Sequence, residues 1–67
     1  MTEKLTVRER QVLILLAKGL DNKTIAEEIE LAYQTVCNVV SKLYLKLDVT
    51  DRVNAALWAL RNNVAKL

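Results

Sequence analysis

The chain has little of what breaks helices, closes disulfides or binds metals. Its 67 residues include no proline, no histidine, one glycine and one cysteine. With so few helix breakers and 52% hydrophobic residues, the composition predicts a small all-α domain. One cysteine cannot form an internal disulfide, and without histidine there is no Cys/His set for a structural zinc. We therefore expect one domain over residues 1–67 that folds with no metal or other cofactor.

Long hydrophobic runs are also absent. No apolar run is longer than residues 12–17, which is far below the ~20 residues that a membrane helix needs. No apolar signal region follows the first four residues. We expect no membrane partner and a cytoplasmic location.

Charge is small in total but uneven along the chain. A net charge of +2 does not indicate nucleic acid by itself. However, residues 31–47 contain no acidic side chain, whereas Glu27, Glu28 and Glu30 stand just before them. A contact with DNA would have to be made by this acid-free stretch.

Capping signals predict four helices. Thr6 and Glu9 have the spacing of a capping box, and Gly19 supplies a residue able to take positive φ at the end of the first helix. Asp21 is expected to cap the second helix, and Thr50 or Asp51 the fourth. The predicted bounds are about 7–18, 22–30, 34–47 and 51–64.

Each predicted helix has an apolar stripe at amphipathic spacing. The inward positions are Val12, Leu13, Leu16 and Ala17; then Ile25, Ala26 and Ile29; then Val36, Val40, Leu43 and Leu47; and last Val53, Ala56, Leu57, Leu60 and Val64. Ile14 projects away from its stripe, either as an incidental exposed aliphatic side chain or as a contact for another domain or protein.

The third helix has a polar face opposite its apolar stripe. At 100° per residue that face comprises Gln34, Asn38, Ser41, Lys42 and Leu45, flanked by Thr35 and Cys37. A face without acidic residues can enter the major groove without repelling phosphates. The alternative is an ordinary solvated face, which would usually be richer in glutamate.

The order of these features resembles that of a known family. Leu-Thr-x-Arg-Glu-x-x-Val-Leu, Gly-x-x-Asn-Lys-x-Ile-Ala, Thr-Val and Lys-Leu-x-Val-x-x-Arg follow one another along nearly the whole chain. This pattern resembles the LuxR-type domain, also called the NarL/FixJ or GerE type. The resemblance implies a four-helix, helix-turn-helix bundle that binds double-stranded DNA as a bacterial transcription regulator and dimerises through its C-terminal helix.

In that family the domain commonly closes a longer chain, after a receiver or ligand-sensing domain. The chain is therefore expected to be either the C-terminal effector domain of a response regulator or a stand-alone small regulator.

Candidate DNA contacts fall into two groups. Phosphate contacts are expected from Lys23, Thr35 and Lys46, and base contacts from Gln34, Asn38, Ser41 and Lys42. The resemblance places Lys23 and Thr35 at backbone-contacting positions, and Cys37, Asn38 and Ser41 at positions that face bases.

The sequence departs from the family pattern at four positions. Many members have Lys or Arg where Cys37 stands, His at Val39, a basic residue at Ser41, and a Ser or Thr cap at Ala32. Because each missing cation weakens phosphate attraction, we expect weak, dimer-dependent binding with an unusual site preference.

The fourth helix has a second apolar strip, formed by Ala55, Trp58 and Ala59. Two alanines would let another helix approach closely and a tryptophan could anchor it, so this strip is the predicted homodimer interface. The alternative is that Trp58 folds over the edge of the core.

The same residues also bear on other possible functions. With no histidine, no Gly-rich phosphate loop and no inward-facing carboxylate pair, the chain is not expected to be an enzyme. A redox role for Cys37 is disfavoured because no Lys, Arg or His adjoins it in sequence. The stronger rival is an antagonist or protein-interaction module that pairs through the fourth helix and reads no DNA, as the depleted charge at positions 37, 39 and 41 suggests.

Overall fold

A computed structural model describes residues 4–65, which form four α-helices and no β-strand. The helices are α1 (Val7–Ala17), α2 (Asn22–Glu28), α3 (Tyr33–Leu47) and α4 (Arg52–Arg61). The predicted all-α fold is confirmed, and α2, the turn and α3 form the helix-turn-helix pair. None of the helices of residues 4–65 has the length and hydrophobicity of a transmembrane segment.

Side chains cap three of the four helix starts within residues 4–65. Thr6 and Glu9 form the predicted capping box, with bonds of 2.9 and 3.1 Å. Asp21 and Asp51 each accept a hydrogen bond from the backbone N–H three residues later, both at 2.8 Å. That bond lowers the pKa of the Asp21 carboxyl. Ala32 caps α3 without any side-chain bond, an omission worth ~1 kcal/mol of helix stability.

Each of these four helices is followed by a residue in the left-handed conformation. The residues are Gly19, Glu30, Asp48 and Asn63, with φ of 93°, 56°, 57° and 57°. In each case the next N–H bonds to a carbonyl five residues earlier, which is the Schellman closure. The predicted bounds 22–30 and 51–64 extend too far because this conformation at Glu30 and Asn63 cannot continue a helix.

The core is built around α1, which packs against the other three helices. On α3 the predicted inward stripe is confirmed at all four positions, and α1 and α2 bury most of theirs. The buried residues of these helices are Val12, Leu13, Leu16, Ile25, Ala26, Val36, Val40, Leu43 and Leu47. Ile14, Ala17 and Ile29 are half-buried.

The predicted orientation of α4 is wrong in part, because Ala56, Leu60 and Val64 pack against the core as predicted but Val53 and Leu57 do not. Ala55 and Ala59 are 0% exposed and belong to the core, whereas Val53 is 69% and Leu57 39% exposed. The reason is size, since α4 packs closely on α1 and two alanines allow an approach that a valine and a leucine would prevent. Trp58 is half-buried against the core edge, as in the alternative interpretation. The strip Ala55, Trp58 and Ala59 is therefore not an outward surface.

Candidate nucleic-acid interface

The acid-free stretch presents its polar face to solvent. Because the valines and leucines of α3 are buried on the opposite side, the predicted outward positions lie on the surface. The exposed residues are Gln34, Thr35, Asn38, Ser41, Lys42 and Leu45. The resulting surface is a helix face of amides, hydroxyls and one lysine, with an apolar side chain at its C-terminal end.

Two amides of this face are linked. Gln34 Nε2 donates a hydrogen bond to Asn38 Oδ1 at 3.1 Å, one helical turn away. Since an amide oxygen has two lone pairs, Asn38 Oδ1 can accept a second bond while its NH₂ group donates. Gln34 thus orients Asn38 in a way that leaves its adenine-pairing atoms usable.

The predicted cations differ in their surroundings. Lys23, in the first turn of α2, and Lys42, on α3, are exposed. Lys46, a predicted phosphate contact, pairs with Glu9 within the protein, with 2.8 Å between Nζ and Oε1. Those side chains are only 21% and 8% exposed. Because an ammonium has three donors, a phosphate contact by Lys46 would share its charge with Glu9.

Glu9 is held by two donors at once. Its Oε1 accepts from Lys46 Nζ and from the backbone N–H of Thr6. The bond from Lys46 first, and then the bond with Thr6, lower the pKa of the Glu9 carboxyl, against an opposing effect of burial. The first helix is thereby fixed to the end of α3.

Cys37 lies at the junction of α2 and α3 rather than on the open face. It is half-buried, and its Sγ accepts a hydrogen bond from Asn22 Nδ2 at 3.5 Å. Asn22 Oδ1 in turn accepts from Arg52 Nη1 at 2.9 Å. Arg52 Nη2 donates to the carbonyl of Leu20 at 2.6 Å. A hydrogen bond with Cys37 raises the pKa of the neighbouring Tyr33 hydroxyl.

Two exposed side chains of α3 lie outside the set of predicted DNA contacts. Tyr33 is 57% exposed and is the first residue of α3, one position before the predicted start, because Ala32 gives no side-chain cap that would mark it. Leu45 projects outward as predicted and is 83% exposed, but an apolar side chain gives no signal for a polar contact with DNA. The helical angle that located Asn38 also locates Leu45, whereas the contacts of Arg52 have no periodic signal.

Comparison with known proteins identifies the family of this fold. Residues 3–59 match the family model described as bacterial regulatory proteins, luxR family. The chain belongs to the LuxR family. The resemblance inferred from the motifs is thus confirmed, and the domain is of the DNA-binding helix-turn-helix type found in transcription regulators.

Relatives of this LuxR-family chain are larger proteins. It is 44% identical over 62 residues to "Transcriptional regulatory protein LiaR" of Bacillus subtilis and 40% identical over 62 residues to "Response regulator protein VraR" of Staphylococcus aureus. Each match covers 92% of this chain but only 29% and 30% of the relative. The chain therefore spans about three tenths of the length of these curated relatives.

A solved structure has the same fold. The chain is similar to a structure described as "Structure of Transcription factor, GerE", with a TM-score of 0.83 and 34% sequence identity. The match covers 92% of both chains. This agreement extends the LuxR-family assignment from sequence to three-dimensional architecture.

Proposed function

We propose that the chain binds specific sequences of double-stranded DNA, with α3 in the major groove. The observation that carries the proposal is the exposed face of α3, which has no acidic residue and is held outward by the buried stripe behind it. A major groove ~12 Å wide admits an α-helix, and the N-terminal part of such a helix reaches the base edges.

The exposed side chains divide the work of binding. Lys23 and Thr35, at the entries of α2 and α3, are suited to phosphate oxygens. Asn38, oriented by Gln34, offers the donor and acceptor that pair with adenine, and Ser41 can bond to any base. Lys42 can reach a guanine or a phosphate. Cys37 and Lys46 have partners within the protein and are proposed as the weaker contacts.

We propose a dimer interface on the side of α4 opposite the buried alanines Ala55 and Ala59. Val53 and Leu57 stand one turn apart and are among the most exposed large apolar side chains of residues 4–65. A two-fold axis beside this strip would pack each valine and leucine against its counterpart. Such a dimer places two recognition helices on successive half-sites, so each weak contact with DNA is used twice.

The named relatives also support a proposal about the protein in which this domain works. By similarity to the proteins called a transcriptional regulatory protein and a response regulator, we propose that the domain is an effector working with an N-terminal receiver domain. A cytoplasmic location is part of the same proposal, since the domain needs access to the chromosome.

The test is a salt titration of binding to fluorescent duplexes enriched from a random pool. The wild-type chain should show a log–log salt dependence with a slope of about −0.9 per phosphate contact. Lys23→Ala should weaken all sequences alike and reduce the slope by about 0.9, whereas Asn38→Ala should cost ~1–3 kcal/mol on the preferred site alone. Arg61→Ala, at the far end of α4, is the matched control and should change neither quantity.

A second candidate is the antagonist module, and one observation favours it. Among the described residues of the outward face of α3, Lys42 is the one exposed cation, and the apolar Leu45 shares that face. The antagonist predicts self-association without salt-dependent DNA binding. Binding that ignores salt, or equal effects of Asn38→Ala and Lys23→Ala on every sequence, would contradict the DNA-reading role.

A further inference from the structure

One guanidinium connects the proposed dimer helix to the helix-turn-helix pair. Within residues 4–65, α2 and α4 do not pack against each other. Arg52, the first residue of α4, spans the gap with two bonds, to the Asn22 side chain that opens α2 and to the Leu20 carbonyl just before it. Arg52 is therefore a direct polar link between the α2 N-terminus and α4, in addition to the packing of both helices on α1 and α3.

Asn22 extends the connection to α3. Its Oδ1 accepts from Arg52 while its Nδ2 donates to Cys37 Sγ, so both ends of one amide are engaged. Two residues of this network are next to proposed DNA contacts in the sequence. Lys23 follows Asn22, and Asn38 follows Cys37. The network joins the starts of α4 and α2 to the second turn of α3.

We propose that Arg52 is a positioning residue that, together with the packing on α1, fixes the α2–α3 pair relative to α4, and with it the spacing of the two recognition helices in the DNA-bound dimer. The inference rests on the proposed function. Because α4 holds the second copy, a rotation of α2–α3 about the Arg52 contact moves one recognition helix relative to the other. Half-sites one helical turn apart, about 10 base pairs, tolerate little of this movement.

The substitution Arg52→Lys distinguishes a positioning role of Arg52 from a direct contact between Arg52 and a DNA phosphate. Lysine keeps the charge, but its single ammonium cannot reproduce a planar fork that reaches an amide oxygen and a carbonyl together. A phosphate contact would thus survive Arg52→Lys largely unchanged, and a positioning contact would be lost.

The experiment measures binding of the 67-residue chain to duplexes with two copies of its selected half-site, at centre spacings from about 8 to 13 base pairs. Arg52→Lys should weaken the best spacing about tenfold, the loss expected for one charge-assisted hydrogen bond. It should also flatten the preference among spacings while leaving the salt slope and single half-site binding unchanged. Arg61→Lys, the control on the same helix, should match the wild type in all four respects.

Asn22→Ala supplies an independent variant. It should reproduce the flattened spacing preference, and Arg52→Lys added to it should have a smaller effect than in the wild type, because the two side chains share one network. Thermal melting identifies any variant that is not folded at the assay temperature. If one of the two single variants is unfolded, the spacing preference of the other tests the inference.

Two results would overturn the inference. One is a spacing preference in Arg52→Lys or Asn22→Ala as sharp as that of the wild type. The other is full additivity of the two substitutions. Neither is confused with failure of the proposed function, because in that case the unmodified chain itself shows no salt-dependent binding.

Discussion

At the scale of single residues, Glu9 is the one charged side chain that is buried in the described part of the chain. The residue is 6% exposed, yet its carboxylate accepts the Thr6 N–H and the Lys46 ammonium at the same oxygen. A buried carboxylate without partners would be costly, and here two donors compensate the desolvation. The pair also removes one cation from the surface near the recognition helix, which explains part of the low charge there.

Glu9 should make stability depend on pH. Since bonds to the charged form hold its folded pKa below the ordinary value of 4.5, its contribution is complete above that pH and is lost as pH falls through the folded pKa. At pH 7, Glu9→Gln should lower the free energy of unfolding by about 2 kcal/mol, and the gap from wild type should narrow toward pH 3.

Urea unfolding at a series of pH values measures this gap. The exposed Glu27→Gln is the control and should be close to wild type at pH 7. A gap for Glu9→Gln that stays constant from pH 7 to 3 would show that the ion pair is not its source.

At the scale of elements, the helix ends carry backbone strain that the helix starts do not. Four Schellman closures follow the helices of residues 4–65, but glycine occupies the left-handed position only at Gly19. A non-glycine residue in that conformation costs about 1–2 kcal/mol, less for asparagine and aspartate. Glu30, in the turn of the helix-turn-helix pair, is neither, so it is the least favourable of the four.

Glu30→Gly should therefore stabilise the fold by about 0.5–1 kcal/mol, the relief of strain less the extra entropy of glycine in the unfolded chain. Glu30→Gln removes the charge while leaving the strain, and it should stay near wild type. The reverse change, Gly19→Ala, should destabilise by about 1 kcal/mol, since no atom lies within 4 Å of the added Cβ and only φ opposes it. Thermal melting of the three variants is the measurement, and a Glu30→Gly melting temperature at or below that of Glu30→Gln would refute the strain argument.

At the scale of the whole molecule, what sequence could predict depended on whether a helix had one apolar face or two. In α3 a single stripe, Val36 to Leu47, left no choice of orientation, so the outward amides followed directly. In α4 the two alanines and the Val53–Leu57 strip are both apolar, so the sequence does not show which of them faces the core. The alanines are buried because α4 packs closely on α1. The Lys46–Glu9 and Arg52–Asn22 contacts join residues 37 and 30 positions apart, a separation at which no local pattern reports pairing.

The exposed strip of α4 gives the prediction that concerns the assembly. Val53→Asn should weaken self-association by about 2–3 kcal/mol per dimer, because each of two copies loses a buried valine side chain. The monomer should melt near the wild-type temperature, since Val53 is 69% exposed there. Val7→Asn, at a valine 77% exposed on α1, is the matched control and should leave self-association unchanged. Sedimentation equilibrium with and without a two-half-site duplex measures the self-association of both variants. Equal association constants for Val53→Asn and Val7→Asn would show that the dimer interface is not on α4.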